Sequence, residues 1–122
     1  MNSDEPSVLS RAYAVEQRPW GAFVTLEQSP MYWVKRIIVK PGQRLSLQAH
    51  AARNEVWTCI AGLVYATIGD KERPMRPGDV VRISAGTKHR LSSSSGGTII
   101  EIATGAPDEE DIERFEDDYG RT

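Results

Sequence analysis

The chain of 122 residues holds one cysteine, Cys59, so no disulfide can form within it, and a reducing cytoplasm is the expected setting. No apolar run approaches the ~20 residues of a membrane span, and no membrane partner is expected. The acidic, polar start Met1-Asn2-Ser3-Asp4-Glu5-Pro6 does not read as a secretory signal. Neither sign of charge dominates: 15 Lys and Arg against 17 Asp and Glu leave a formal net charge of −2. A nucleic-acid partner, which wants a basic face, is therefore not expected either. Histidine is nearly as scarce as cysteine. There are two, His50 and His89.

What is present is punctuation. Short apolar or β-branched runs alternate with Gly, Pro and Asp: Ala22–Leu26, Tyr32–Lys40, Arg44–His50, Val56–Ile60, Leu63–Ile68, Asp79–Ile83, His89–Ser92 and Thr98–Ala103. Pro41-Gly42, Gly62, Gly69-Asp70, Pro77-Gly78 and Ala85-Gly86 separate them, with glycines 42, 62, 78 and 86 read as turn formers. Many short strands at this spacing predict an antiparallel sandwich or barrel in one domain, residues 18–122, preceded by an N-terminal arm or edge strand over residues 1–17. Cys59, within Trp57-Thr58-Cys59-Ile60, reads as a buried structural thiol, and Trp20 and Trp57 as barrel packing. Only the tail differs. Pro107–Phe115 has the acidic start of a short C-terminal helix, with Ile112 and Phe115 three apart on one face.

The two histidines stand in matching surroundings. His50 lies in Gln48-x-His50-x-x-x-x-Glu55, between Gly42 and Gly62, and His89 closes a second block that begins at Gly78 and passes through Gly86. Alternate residues of a strand share a face, so Gln48 and His50 point the same way. Glu55, beyond a short turn, faces them across an antiparallel pair, and His89 joins from a later strand. Two imidazoles, a carboxylate and an amide oxygen make a shell for one divalent ion, Zn²⁺ first, with Mn²⁺, Fe²⁺ or Ni²⁺ also suited. Positions would remain open for substrate oxygens.

These two blocks resemble the two motifs of the cupins. Gly42, His50, Glu55, Gly62, Gly78, Gly86 and His89 match in register, and Gln48 stands where the first histidine usually is. Arg18-Pro-Trp-Gly21, Val34-Lys-Arg36, Lys40-Pro-Gly-Gln-Arg-Leu-Ser-Leu-Gln48, Trp57, Gly86-Thr-x-His-Arg-Leu91 and Phe115-Glu-Asp-Asp-Tyr-Gly-Arg121 further resemble the C-terminal cupin domain of type II mannose-6-phosphate isomerases. The resemblance implies an all-β, double-stranded β-helix (a jelly-roll barrel) and a metal-dependent isomerase that interconverts mannose 6-phosphate and fructose 6-phosphate. It also implies a homodimer. Family members usually follow a sugar-phosphate nucleotidyltransferase domain; nothing in these residues resembles one, so pyrophosphorylase activity is not expected of this chain. Where the family carries histidines, this sequence has Ala51, Ala52 and Val56, and Lys88 replaces a proline before His89.

Such an isomerase polarises adjacent carbonyl and hydroxyl oxygens on the ion and moves a proton between two carbons. With both histidines assigned to the ion, an inward lysine, a glutamate such as Glu101, or bound hydroxide is the candidate base. The substrate's phosphate wants Arg or Lys at the barrel mouth, and Arg44, Arg53, Lys88 and Arg90 flank the motifs. The alternative is a non-catalytic module that binds metal and sugar.

Overall fold

A layer of charge inside an otherwise apolar barrel follows from strand alternation. In the strand Tyr32–Val39 the inward phase is Trp33, Lys35, Ile37 and Val39; in Arg53–Gly62 it is Arg53, Glu55, Trp57 and Cys59; in Gly97–Gly105 it is Ile99, Glu101 and Ala103. One end of each strand thus supplies hydrocarbon and the other supplies ionisable groups.

The structure, a computed structural model, describes residues 13–121. Among these are twelve strands: β1 (Val15–Arg18), β2 (Gly21–Gln28), β3 (Tyr32–Val39), β4 (Gln43–Arg44), β5 (Leu47–Ala49), β6 (Arg53–Gly62), β7 (Val64–Ile68), β8 (Lys71–Met75), β9 (Val80–Ile83), β10 (His89–Ser93), β11 (Gly97–Gly105) and β12 (Glu113–Glu116). They form two antiparallel sheets, ordered β1-β2-β3-β11-β6-β9 and β12-β5-β10-β7-β8, with β4 also on β10. Phe23, Ile37, Cys59 and Ile99 from the first sheet close on Val64, Ala66, Met75 and Leu91 from the second. Cys59 is free and buried in that core, and Trp20 and Trp57 are buried as well. No helix among the described residues is long and apolar enough to cross a membrane.

Close crossings use glycine where nothing else fits. Gly62 ends β6 at φ 70°, and a Cβ there would lie 2.3 Å from the carbonyl oxygen of Gly96. β1 is an edge strand on β2, and residues 1–12 of the N-terminal arm lie outside the described residues.

The expected C-terminal helix is not formed. The acidic residues of Pro107–Phe115 find partners other than helix amides. Asp108 accepts the N–H of Glu110 at 2.9 Å, and Asp111 accepts those of Ala51 and Ala52 at 2.9 and 2.8 Å. The chain then runs as β12 along the edge of β5, which would otherwise be open. Strand β8 is an addition to the expected set. Its Lys71-Glu72-Arg73-Pro74 reads as a loop, yet at the sheet's edge Pro74 forfeits no bond that the ladder needs.

Candidate metal centre

Glu55 is the hub of the inward charged layer. Its Oε2 accepts from Arg53 Nε at 3.0 Å and lies 3.1 Å from His50 Nε2; its Oε1 accepts from Trp57 Nε1 at 2.8 Å and lies 3.8 Å from His89 Nε2. One ligand atom from each of His50, Glu55 and His89 falls within 4.8 Å of the others, all three residues buried. Metal–ligand bonds of about 2.0–2.2 Å place neighbouring donors roughly 3–4 Å apart, so the triad is already near the spacing that one ion demands.

The imidazoles are oriented as ligands. A carbonyl oxygen can only accept, so the contacts of His50 Nδ1 with Asp111 O (2.7 Å) and of His89 Nδ1 with Thr87 O (2.9 Å) place the proton on Nδ1 in each neutral ring. Both Nε2 lone pairs then face Glu55, the outer-shell arrangement that fixes tautomer and aim in metal sites. Burial lowers the pKa of His89, against the pull of the Glu55 charge, and favours the neutral ligand form. The turn before His89 is tied to the strand of His50: Gly86, at φ 84°, donates its N–H to the His50 carbonyl at 2.7 Å. The chemistry and spacing of these donors fit a divalent ion.

A second carboxyl completes the layer. Glu101, on β11, faces Lys35 on one side and Trp57 on the other in the strand register, and its Oε2 accepts from Trp33 Nε1 at 2.9 Å. Burial, then the neighbouring Glu55 charge, push Glu101 well above the usual carboxylate range. Burial would push Glu55 up too, but the hydrogen bonds around its carboxylate and the charge of the Arg53 guanidinium outweigh it and hold Glu55 below the usual range.

The sequence-derived candidates separate. His50, Glu55 and His89 converge. Gln48 lies directly across from His89 in the strand register, its amide Nε2 donating to Ser46 Oγ at 3.0 Å. Of the four candidate phosphate cations, Arg53 enters the site, donating from Nη2 to His50 Nε2 at 2.8 Å. The others do not gather there. Arg44 makes a bidentate pair with Asp118 at the surface, Arg90 donates to the Leu45 and Glu116 carbonyls, and Lys88 lies 4.1 Å over the Phe115 ring. Instead a cavity of about 150 Å³, lined by Gln48, Arg53 and Glu101, also takes in Arg18, Lys35, Arg114 and Arg121. The signal for Lys35 was its phase: a lysine in the apolar register of β3. Arg114 carried no such signal, because its segment read as helix.

Residues 5–117 match the family described as mannose-6-phosphate isomerase, C-terminal. The chain belongs to that family. This cupin is 41% identical over 108 residues to the xanthan biosynthesis protein XanB of Xanthomonas campestris, a match covering 86% of this chain and 23% of that one. It is 40% identical to the alginate biosynthesis protein AlgA of Pseudomonas aeruginosa (86% and 22% covered) and 35% identical to a mannose-1-phosphate guanylyltransferase of Escherichia coli (91% and 24%). The match thus spans under a quarter of the length of these relatives. Among solved structures, an RmlC-like cupin from Shewanella frigidimarina superposes with a TM-score of 0.74 at 16% identity, covering 80% of this chain and 87% of that one. A double-stranded β-helix protein from Klebsiella pneumoniae gives 0.74 at 17%, covering 94% and 99%. The fold is the cupin double-stranded β-helix.

The lost family histidines sit apart from the triad in this cupin. Ala51 and Ala52 are exposed, their amides held by Asp111, and Val56 points away from the barrel interior, between inward Glu55 and Trp57. The Asp111 clamp predicts an outcome. Asp111→Ala frees the loop whose carbonyl aims His50, and divalent-ion affinity, read by calorimetry, should fall about 10-fold or more, as for other outer-shell losses. An unchanged affinity would show that the clamp does not orient the ligand.

Proposed function

We propose that this cupin is a metal-dependent sugar-phosphate isomerase that interconverts mannose 6-phosphate and fructose 6-phosphate, with Zn²⁺ as the first candidate ion and Mn²⁺, Fe²⁺ or Ni²⁺ also suited to the donors. The observation that carries the reading is the convergence of His50, Glu55 and His89 beside a second buried carboxyl, Glu101, and a cation-lined cavity. When bound, a divalent ion supplies Lewis acidity to the carbonyl and adjacent hydroxyl oxygens of the sugar. The chain's own residues do the rest. Glu101, its pKa raised by burial and its carboxyl oriented by the Trp33 Nε1–H, is the group to exchange a proton with a substrate oxygen. Lys35 is the inward lysine: buried on β3, it lies 3.9 Å over the Trp33 ring and is ion-paired with Glu109. Arg53 joins Glu55 to His50 and sets the charge of the site.

One observation favours the non-catalytic alternative. The Arg53 guanidinium donates to His50 Nε2, the atom an ion would take. An assay separates the two. The full chain, supplied with each divalent metal in turn, is given mannose 6-phosphate and fructose 6-phosphate formation is followed. Turnover is expected, abolished in His50→Ala and lowered about 100-fold or more in Glu101→Gln, the usual range for a lost proton-transfer group. Binding of mannose 6-phosphate without turnover under any metal would establish the binding module instead.

A further inference from the structure

Among the described residues, one buried polar side-chain atom has no hydrogen-bond partner: Nε of Arg114. We propose that Arg114 is the phosphate-recognising residue of this site, binding the phosphoryl group of the sugar phosphate; this rests on the sugar-phosphate reading above.

Register places it there. Arg114 of β12 faces Gln48 of β5, and Gln48 faces His89 of β10, so the three side chains form one row across the sheet. Strands lie about 4.8 Å apart, which sets Arg114 roughly 10 Å from His89, backbone to backbone. An open-chain hexose phosphate, its carbonyl end at the triad and its phosphate at the far carbon, spans a gap of that order once the side chains reach inward.

Charge accounting singles out Arg114 among the cations of the cavity. Lys35 is paired with Glu109, Arg53 with Glu55 and Arg121 with Asp117, and Arg18 lies 3.7 Å from Glu16. Arg114 has no ion pair among the described residues. A guanidinium cannot shed its charge by losing a proton, so its demand for an anion falls on a ligand. The cavity also suits the group. At about 150 Å³ it holds several waters' volume, each about 30 Å³, and lies below the roughly 300 Å³ at which whole-ligand pockets begin. That is room for a tetrahedral oxyanion and the near end of its chain. Planar, forked donors match such an anion better than an ammonium does.

The test is calorimetric titration of the full chain with inorganic phosphate, mannose 6-phosphate and mannose, for wild type, Arg114→Met and Arg114→Lys. Wild type should bind both phosphates, and Arg114→Met should weaken both by ~10-fold or more, the usual consequence of losing a charged hydrogen bond. Arg114→Lys should recover part of the loss, and divalent-ion affinity should stay at the wild-type value in both variants. Unchanged phosphate affinity in Arg114→Met overturns the assignment, as does a wild type that binds neither phosphate. If Arg114→Met fails to fold, Arg114→Lys decides: wild-type affinity there removes the need for a fork. Phosphate bound through Arg114 in a chain without turnover would sink the isomerase reading and leave this one standing.

Discussion

Glu55→Gln should cost the protein both its divalent ion and about 3–5 kcal/mol of stability, the usual penalty for removing one partner of a buried ion pair. The size follows from what Glu55 compensates. Its oxygens accept from Arg53 and Trp57 and face both histidine Nε2 atoms, with the carboxylate and the guanidinium both shut away from water. Glutamine keeps the shape and removes the charge, leaving the Arg53 cation stranded in the barrel. Denaturant midpoint and bound-metal content both read the outcome. A variant within 1 kcal/mol of wild type that still holds a full equivalent of metal would mean that Glu55 is neither ligand nor hub.

How much of this was legible in the sequence varies by element. The strands with two-residue alternation and glycine boundaries were readable, because a pleated strand with one buried face leaves that period in its residues. The triad was readable from residue types and spacing, but not its pairing: the strands beside His50 and Glu55 belong to different sheets, so Glu55 meets His50 across the barrel and not within an antiparallel pair. Two elements were not readable. Lys71–Met75 is an edge strand whose composition is set by solvent on its open side, so it carries no apolar rhythm. Glu113–Glu116 exists because β5 has a vacant edge, a fact about distant sequence, while its acidic approach mimics a helix start. The cations followed the same logic. Proximity in sequence suggested Arg44, Lys88 and Arg90, but strand phase governs which side chains enter the barrel. Arg90 follows inward His89 by one residue and so emerges on the opposite face, donating to backbone carbonyls there.

Trp33 is the second position where a large effect is expected, and the effect divides in two. Its side chain is 1% exposed, at the charged end of β3, one inward position beyond Lys35. Truncation in Trp33→Ala should destabilise the fold by about 3–5 kcal/mol through lost burial and the void left behind. Trp33→Phe keeps most of the volume but removes the Nε1–H that Glu101 Oε2 accepts, leaving a buried oxygen unmet at a cost of about 1–3 kcal/mol. The ring also lies 3.9 Å from Lys35 Nζ and 4.6 Å from the Arg53 guanidinium, so one indole braces two cations as well as the carboxyl. Phenylalanine retains a weaker version of that face, which separates packing from orientation of the Glu101 carboxyl. In Trp33→Phe, therefore, divalent-ion affinity should hold near wild type, since no ligand of the triad touches the indole nitrogen, while any turnover that depends on Glu101 falls. Equal losses of metal and turnover in Trp33→Phe would instead make the indole a general brace of the barrel, with no particular role in orienting the Glu101 carboxyl.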